Sequence, residues 1–227
     1  MNVGVVSGLP RETACFDVVP EAGRVFQASA GVGPVRAEAA AREFVADGAR
    51  GLVSFGVAGG LSREAPAGSV VLADRVVDGT HSIAADEAWT ARIRDLIGPD
   101  VPLVSGRLAG TDRMVPTPEG KRRIFHETAA IACDMESHAL ARVARELDVP
   151  FVVIRAISDP HDRAVPKWVL KCLTPAGDVQ MASLIGQAAR RPWAWPNLIG
   201  LTRDSTKAFA SLRGVARGLG PGFGFGL

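Results

Sequence analysis

The amino-acid sequence predicts a three-layer α/β/α sandwich around a mixed, mainly parallel central sheet. Short runs rich in β-branched residues recur along the chain, and alanine-rich segments with helical periodicity lie between them. Strands that alternate with helices are typical of α/β domains with a parallel sheet. Ligands of such sheets bind beyond the carboxyl ends of the strands, so the residues at which strands stop are the candidate site residues.

The predicted elements follow one another in a regular order. A first buried strand is followed by a second, and then by an alanine-rich helix that opens with glycines and stops at Gly48. The third strand runs into a glycine-rich loop, and a further helix begins near Asp134 before the last strand. The five predicted strands cover residues 2–9, 24–29, 51–61, 68–79 and 148–159.

The composition is that of one soluble globular domain, or at most of a domain with an appendage. The 227 residues are 47% hydrophobic and 22% charged with a net charge of +2, which gives no reason to expect nucleic acid as a partner. Three widely spaced cysteines favour neither a disulfide framework nor a zinc site and indicate a reducing, cytoplasmic compartment. We see no signal-peptide pattern and no apolar run near the roughly 20 residues of a spanning helix. We expect a main domain at residues 1–190, a C-terminal tail at residues 191–227, and no metal or cofactor.

Two carboxylates, Asp134 and Glu136, stand where a strand-like run meets a helical pattern. Glu136 shares one helical face with Leu140 and Val143, which puts it at the first turn of a buried stripe. Acids also favour helix N-termini because of the helix dipole and the free N–H groups, and this interpretation fits Asp134. Glu136 is either such a helix-start carboxylate or a site residue. The second interpretation follows because a carboxylate directed at a core needs polar partners or a ligand.

A third carboxylate, Asp159, ends the buried run FVVIRAIS and precedes Pro160. By composition alone it is a turn initiator, because Asp-Pro often begins turns. Its position at the end of a buried strand also makes it a candidate site residue.

Together these segments resemble the purine nucleoside phosphorylase and nucleosidase superfamily, with methylthioadenosine/adenosylhomocysteine nucleosidases as the closest motif matches. The blocks that carry the resemblance are, in chain order, VGVVSGLPRE, GVGPVRAEAA, FGVAGGL, CDMESHALARVA and VVIRAISD. They span residues 1 to about 160, and five blocks in order are specific where a lone G-x-G would be weak. The resemblance implies a nucleoside phosphorylase-like fold, with residues 1–190 as a catalytic domain that cleaves a purine N-glycosidic bond.

The resemblance also implies roles for the candidate residues. Asp159 is the implied acid for purine N7, and Glu136 the implied acceptor of hydrogen bonds from the ribose hydroxyls. Glu12 falls in GLPRET, where such nucleosidases carry the glutamate that activates water; its alternative is a helix-start carboxylate. Met135 would pack on the sugar or be ordinary core, and Ser158 would hydrogen-bond the purine edge or Asp159.

The glycine-rich loop is predicted to approach the substrate, because glycine has no Cβ; its alternative is a plain tight turn. Its substrate-binding candidates are Gly56, Val57, Ala58 and Gly59. Val57 stands where these families usually have serine or threonine, and Ser54 stands where phosphorolytic relatives have arginine. Arg11 and Arg36 remain as candidate phosphate ligands, with a solvated surface role as the alternative. The sequence favours water as the nucleophile, and inorganic phosphate stays open as a co-substrate.

The remainder of the chain resembles the hopanoid-associated branch, which is linked to removal of adenine from adenosylhopane. The segments RRPWAWPNLIGLTRDS and SLRGVARGLGPGF carry this resemblance. Residues 190–217 contain six basic residues and one acid, and Ser205, Phe209, Leu212 and Val215 align on one helical stripe. The stripe indicates either a basic amphipathic helix on an anionic membrane or a helix packed on the domain or on a second subunit. The glycine-rich end is predicted to be poorly ordered.

The main functional expectation is an enzyme that releases adenine from adenosylhopane by phosphorolysis or hydrolysis. The alternatives are a nucleosidase for a small soluble adenosyl thioether and a non-catalytic nucleoside-binding protein. Glu12, Glu136 and Asp159 together argue against the last alternative, because binding alone would not demand all three. We expect a homodimer or higher oligomer in the cytoplasm, with peripheral contact at the inner membrane face as one option for the tail.

Overall fold

The computed structural model describes residues 2–16, 25–29, 31–172, 174, 180–220 and 222–226. Its strands are β1 (Val3–Ser7), β2 (Val25–Ser29), β3 (Gly51–Gly60), β4 (Val70–Asp78), β5 (His81–Ala84), β6 (Leu103–Gly110), β7 (Ala132–Asp134) and β8 (Phe151–Asp159). Its helices are α1 (Pro10–Thr13), α2 (Pro34–Ala46), α3 (Glu87–Leu96), α4 (Pro118–Thr128), α5 (Ser137–Glu146), α6 (Lys167–Leu170), α7 (Met181–Ala189) and α8 (Trp195–Leu219), with a 3₁₀ turn at Pro192–Ala194.

The strands form one mixed sheet of eight strands. Parallel pairs join β1 to β2 and β3, β3 to β8, β4 to β6, and β6 to β7. Antiparallel pairs join β3 to β7, β4 to β5, and β4 to β8. The predicted mainly parallel sheet is therefore confirmed, and five of its strands (β3, β8, β4, β6 and β7) close into a ring. The ring brings three strand ends together, because Gly59 pairs with both Cys133 and Asp159.

Helices cover both faces of the sheet and complete the three layers. On one face, α2 and α5 bury small side chains and Phe44 in one hydrophobic cluster. On the other face, α3 and α8 contribute Trp89 and Leu212 to a second cluster. The successive residues Val152 and Val153 of β8 belong to different clusters. Burial on both faces explains why the strands read as continuous apolar runs.

The structure also differs from the element boundaries that the sequence predicts. The segment predicted as a glycine-rich loop is the last part of β3, because β8 pairs with it as far as Gly59. The predicted helix near Asp134 begins three residues later: β7 ends at Asp134, and Glu136 directly precedes α5. Further elements that the pattern does not predict, α3, α4, β5 and β6, lie between the predicted strands, and the strand-like run before Asp134 forms β7.

The apolar stripe of the tail faces the domain. In α8, Phe209, Leu212 and Val215 are buried and belong to the cluster that includes β8 residues. Of the two interpretations of this stripe, packing on the domain is the one that the structure shows. The prediction of a poorly ordered glycine-rich end is wrong for Phe223, which is buried and accepts a 2.6 Å hydrogen bond from Trp89 Nε1 at its carbonyl.

The three cysteines, Cys15, Cys133 and Cys172, are buried and free. Among the described helices, none combines the length and the apolar character needed to cross a bilayer. The domain boundary after residue 190 stays a prediction.

Candidate active site

The ends of four strands surround one large cavity. β1 leads into Glu12 on α1, β7 leads into Glu136, and β8 ends in Asp159, while β3 supplies part of the wall. The cavity has a volume of about 1210 Å³. The predicted site residues that line it are Arg11, Glu12, Arg36, Val57, Ala58, Gly59, Met135, Glu136, Ser158 and Asp159. The topology thus gathers residues that are far apart in the sequence at one edge of the sheet.

Glu12 is a buried carboxylate held by backbone amides. Its Oε2 accepts hydrogen bonds of 2.8 Å from Gly8 N and Leu9 N, and its Oε1 accepts one of 2.8 Å from Val57 N. Burial raises the pKa of Glu12 to about 7, against the attraction of the Arg155 guanidinium. Glu12 therefore changes protonation state near neutral pH, as a general base working at that pH requires.

Two glycines make room for the buried carboxylates. A Cβ at Gly56 would lie 2.5 Å from Glu12 Oε1 and 2.7 Å from Arg155 Nη1. A Cβ at Gly8 would lie 3.2 Å from Glu136 Oε1. Gly56, predicted as a substrate-binding residue, is absent from the cavity wall, and its position instead gives space to Glu12.

A buried arginine, Arg155, joins the carboxylates. Its Nε lies 2.7 Å from Asp134 Oδ2, and its Nη1 lies 3.5 Å from Glu136 Oε2. Its Nη2 donates a 2.6 Å hydrogen bond to Ser54 Oγ. Asp134 also accepts hydrogen bonds from the backbone N–H and the hydroxyl of Ser137 at the start of α5. Asp134 thus stabilises the helix start and the ion pair, in agreement with the helix-terminal interpretation of this acid.

Glu136 is buried at the N-terminus of α5 and lines the cavity. Its Oε1 accepts a 2.9 Å hydrogen bond from Gly33 N, which joins the starts of α2 and α5. Burial raises the pKa of Glu136, and Arg155 opposes this shift while Asp134 adds to it. The Glu136 carboxyl group is thus fixed from two sides at the cavity wall.

Asp159 ends β8 with both carboxylate oxygens engaged. Ser158 Oγ donates to Oδ1 at 2.9 Å, and Lys121 Nζ donates to Oδ2 at 2.6 Å. The Asp159 side chain remains 17% exposed, and it lines the cavity. Burial raises the pKa of Asp159, against the ion pair with Lys121. A carboxyl group with a raised pKa suits proton donation near neutral pH.

The other predicted substrate-binding residues line the wall around Asp159. The carbonyl of Ala58 lies 3.4 Å from Ser158 Oγ and is a second, longer acceptor for the hydroxyl proton that Asp159 Oδ1 accepts at 2.9 Å. A Cβ at Gly59 would lie 3.3 Å from Asp159 Oδ2, so the glycine leaves this carboxylate accessible. Met135 is half-buried and borders the cavity between the two carboxylates of the β7–α5 junction.

The two predicted phosphate ligands, Arg11 and Arg36, border the cavity with exposed side chains. The guanidinium carbon of Arg11 lies 4.6 Å from the centroid of the Phe209 ring. This cation–π contact places the Arg11 guanidinium against α8. Arg36 lies in the first turn of α2.

Two buried cations of the site, Arg155 and Lys121, were not among the predicted site residues. Arg155 interrupts the apolar run VVIRAIS, and a charge inside a buried strand is a signal that could have found it. Lys121 stands in PEGKRRIFHET, whose charge density is typical of an exposed helix. No sequence signal marks Lys121, because its burial depends on the distant end of β8.

The arrangement is suited to acid–base chemistry by carboxylates. Glu12 can accept a proton near neutral pH, Asp159 is placed to donate one, and Glu136 supplies a carboxyl group that Gly33 N holds in place. Across the described ranges, no group of three or more His, Cys, Asp or Glu side chains is arranged to hold a metal ion.

Comparison with known sequences places most of the chain in one family. The family model described as the phosphorylase superfamily matches residues 11–171. A 5′-methylthioadenosine/S-adenosylhomocysteine nucleosidase of Mycobacterium bovis is 30% identical over 219 residues, covering 70% of this chain and 86% of the relative. A nucleosidase of the same name from Treponema pallidum is 40% identical over 80 residues, covering 33% of this chain and 30% of the relative.

Solved structures share the fold at lower sequence identity. The 5′-methylthioadenosine/S-adenosylhomocysteine nucleosidase of Neisseria meningitidis, in complex with methylthio-immucillin-A, has a TM-score of 0.73 at 19% identity and covers 96% of this chain and 98% of its own. The futalosine hydrolase of Helicobacter pylori has a TM-score of 0.68 at 18% identity, and the match covers 96% of this chain and 97% of the hydrolase chain. These likenesses confirm the predicted α/β architecture.

Proposed function

The chain belongs to the phosphorylase superfamily, and we propose that it hydrolyses the N-glycosidic bond of a 5′-substituted adenosine and releases adenine. It is an enzyme of the nucleoside phosphorylase and nucleosidase type. The proposal names water as the nucleophile and adenine as the leaving base. The observation that carries it is the position of the Glu12 carboxylate.

Glu12 fills a backbone site that would otherwise suit an anion. The amides of Gly8, Leu9 and Val57 converge on its carboxylate, and converging backbone N–H groups are typical of phosphate sites. A phosphate ion would be repelled by the ionised carboxylate that occupies these donors. A water molecule beside Glu12 can instead give it a proton while the water oxygen bonds to C1′ of the ribose.

Asp159 and Glu136 perform the remaining steps in this proposal. As the C1′–N9 bond breaks, its electron pair moves to the purine, and the proton of Asp159 neutralises the purine at N7. Glu136 accepts hydrogen bonds from the ribose hydroxyls and stabilises the positive charge that develops on the sugar. The raised pKa of Asp159 and the fixed position of Glu136 support this division of roles.

The substrate that we propose first is a small adenosyl thioether, such as methylthioadenosine or adenosylhomocysteine. The support is the Mycobacterium bovis relative, which is named for these two compounds and is matched over 86% of its length. The residues proposed to act on the ribose and the base, Glu12, Glu136 and Asp159, all lie within the family match at residues 11–171.

A second candidate is an adenosine with a long apolar 5′ substituent, such as adenosylhopane, and the cavity favours it. Its volume of about 1210 Å³ exceeds the range of about 300–1,000 Å³ usual for small-molecule sites. Apolar side chains from α6, α7 and α8 extend its wall: Val169, Leu170, Met181, Leu201 and Phe209.

Exposed apolar side chains on α7, the 3₁₀ turn and the start of α8 support contact between this second substrate and lipid. Five large side chains there are each more than half exposed, and Met181 among them also lines the cavity; we call this set the rim face: Met181, Ile185, Trp193, Trp195 and Ile199. Exposed cations, Lys167, Lys171, Arg190 and Arg203, occur in the same part of the chain. Tryptophans flanked by lysine and arginine are typical of surfaces that rest on anionic bilayers. The second candidate therefore includes peripheral membrane contact through the rim face.

Adenine release measured with and without inorganic phosphate tests the proposal. Methylthioadenosine, adenosylhomocysteine and an adenosine with a long 5′-alkyl chain serve as substrates. A free sugar formed at the same rate in both conditions supports hydrolysis, whereas a sugar 1-phosphate would overturn it. A higher kcat/KM for the thioethers supports the first substrate, and a higher kcat/KM for the alkyl compound supports the second. Absence of adenine release from all three would refute both.

A further inference from the structure

Lys121 is a fully buried lysine whose charge is directed at the end of β8. Its side chain is 0% exposed and lies in α4. Its Nζ donates hydrogen bonds to Asp159 Oδ2 at 2.6 Å, Asp159 O at 2.9 Å, Pro160 O at 2.8 Å and Arg163 O at 3.3 Å. An ammonium group has three protons, so four acceptors use all of its donors. A buried cation without partners is strongly destabilising, so these contacts fix where Lys121 points.

We propose that Lys121 is a positioning residue for the leaving-group acid: it holds Asp159 Oδ2, leaves Oδ1 to carry the transferable proton, and stabilises the carboxylate that forms when the proton leaves. This inference rests on the proposed function, in which Asp159 is the acid. To the three catalytic residues of that proposal it adds Lys121, which orients the Asp159 carboxyl group and favours release of its proton in a buried site.

The two oxygens of Asp159 have different partners, and this difference selects the oxygen that is protonated. Lys121 can only donate, so Oδ2 must accept and cannot carry a proton toward it. Ser158 Oγ can either donate or accept, and it also lies 3.4 Å from the carbonyl of Ala58. When Oδ1 is protonated, the Ser158 hydroxyl can turn to Ala58; when Oδ1 is charged, it can donate to Oδ1.

The charge of Lys121 favours the products of proton transfer. Before transfer, a neutral carboxyl group lies beside the ammonium group. After transfer, the proton is on the purine, which has received the electron pair of the C1′–N9 bond, and Asp159 is an anion paired with Lys121. An interaction that strengthens as the bond breaks lowers the barrier. Burial alone would raise the pKa of Asp159 and weaken it as an acid, and Lys121 opposes this effect.

A purely structural role for Lys121 is the alternative that the experiment must separate. Through Pro160 O and Arg163 O, Lys121 also ties down the turn that follows β8. A tether of this kind would need hydrogen-bond donors but no net charge. The two roles therefore predict different behaviour for a neutral side chain that keeps its donors.

Lys121→Gln keeps hydrogen-bond donors without the charge, and Lys121→Met keeps neither. The control is Arg123→Met on the same helix, where Arg123 is exposed and lies 4.0 Å from Glu127. We expect both Lys121 variants to lose about 10–10²-fold in kcat/KM for adenine release, which is less than the roughly 10²–10⁴-fold that the general acid itself contributes. The alkaline limb of the pH profile should move to higher pH, because loss of the cation raises the pKa of Asp159. The control should match the wild type in both respects.

Two further measurements connect the effect to Asp159. A 4-nitrophenyl riboside, whose leaving group departs without a proton, should be cleaved by Lys121→Gln at nearly the wild-type rate. The double variant with Asp159→Asn should be no slower than Asp159→Asn alone, because Lys121 acts through that residue. Equal losses on the adenine and nitrophenyl substrates, or an unmoved alkaline limb, would overturn the inference.

The outcomes also separate this inference from the proposed function. If Asp159→Asn leaves adenine release unchanged, the assignment of the acid fails, and the inference fails with it. If Asp159→Asn is slow and Lys121→Gln is normal, only the inference about Lys121 fails. If neither Lys121 variant folds, circular dichroism will show it, and Lys121 is then a tether rather than a residue that tunes the acid.

Discussion

Val57 N donates a 2.8 Å hydrogen bond to Glu12 Oε1, and this bond joins β3 to the helix that follows β1. The contact uses the backbone, so the side chain at position 57 has no part in it. The families that the sequence resembles usually have serine or threonine at this position. Valine here therefore leaves the position of Glu12 unchanged. The nucleophile-activating side of the site is built from main-chain donors.

The rate of adenine release should rise with pH through about 7, the pKa to which burial raises Glu12. A general base acts only when deprotonated, so the protonated form that prevails at lower pH is inactive. The measurement is kcat/KM as a function of pH, and Glu12→Gln should abolish this limb together with activity. A profile without a limb near neutral pH would contradict the role of Glu12.

Asp159→Asn should nearly abolish turnover, because asparagine cannot give a proton to the purine. The expected loss is about 10²–10⁴-fold, the usual contribution of a general acid. Asp162→Asn, an exposed acid in the following turn, is the matched control and should retain activity. Retention of more than about a third of the wild-type rate by Asp159→Asn would show that the acid is elsewhere.

Glu136→Gln should lower kcat, because it keeps the shape of the side chain and removes the anion that faces the sugar. Its hydrogen bond from Gly33 N can still be accepted by the amide oxygen, so the starts of α2 and α5 should stay joined. Steady-state kinetics with an adenosyl thioether check this expectation. An unchanged kcat with a small rise in KM would instead indicate uniform binding of substrate and transition state.

Gly56→Ala should inactivate the enzyme by displacing Glu12. The new Cβ would lie 2.5 Å from Glu12 Oε1, closer than such contacts allow. Gly98→Ala is the control, since a Cβ there would meet nothing within 4 Å. Adenine release and melting temperature are measured for both variants. Full activity of Gly56→Ala would mean that Glu12 can move without loss of function.

Truncation after Arg191 should destabilise the protein and impair all substrates alike. The cut removes Phe209, Leu212 and Val215, which are buried in the core. Leu212→Ala, a milder change, should lower the free energy of unfolding by about 2–5 kcal/mol. Urea unfolding measures the stability of the truncated protein and of Leu212→Ala. A truncated protein of wild-type stability would contradict the packing of α8 on the domain.

Replacement of Trp193 and Trp195 by serine should leave the core intact, because Trp193 is 76% exposed and Trp195, whose Nε1 donates a 2.9 Å hydrogen bond to Ala188 O, is 51% exposed. If the rim face meets lipid, the double variant should lose binding to vesicles of anionic phospholipid. High salt should weaken wild-type binding in the same way, since it screens lysine and arginine from the headgroups. Equal binding by the wild type and the variant would rule out contact through these tryptophans.

The sequence predicts the elements that are buried on both faces and fails for those that are not. β1, β3, β4 and β8 appear as apolar runs because helices cover both sides of the sheet. The pattern does not predict β6, because Gly106 and Arg107 interrupt its apolar residues and several of its side chains are partly exposed. Its formation depends on pairing with β4 and β7, which no local pattern reports.

The candidate site was predictable where residues belong to short motifs and unpredictable where they meet across the fold. Glu12, Glu136 and Asp159 all line the cavity, as expected from their positions at strand ends. Lys121 lies 38 residues from its partner Asp159 and on a helix of exposed appearance. Burial of its ammonium group follows from tertiary packing alone.

Trp89 packs against Phe225 with ring centroids 4.5 Å apart, and Phe223 packs against Phe55 with centroids 5.9 Å apart. One hydrophobic cluster therefore combines early strands with residues beyond position 208. A ribosome makes the chain from its N-terminus, so β1 and β3 emerge long before the side chains that complete this cluster. Until those residues leave the exit tunnel, the part of this sheet face that α8 covers stays open, and a nascent chain stalled before α8 should bind chaperones that recognise exposed apolar strands.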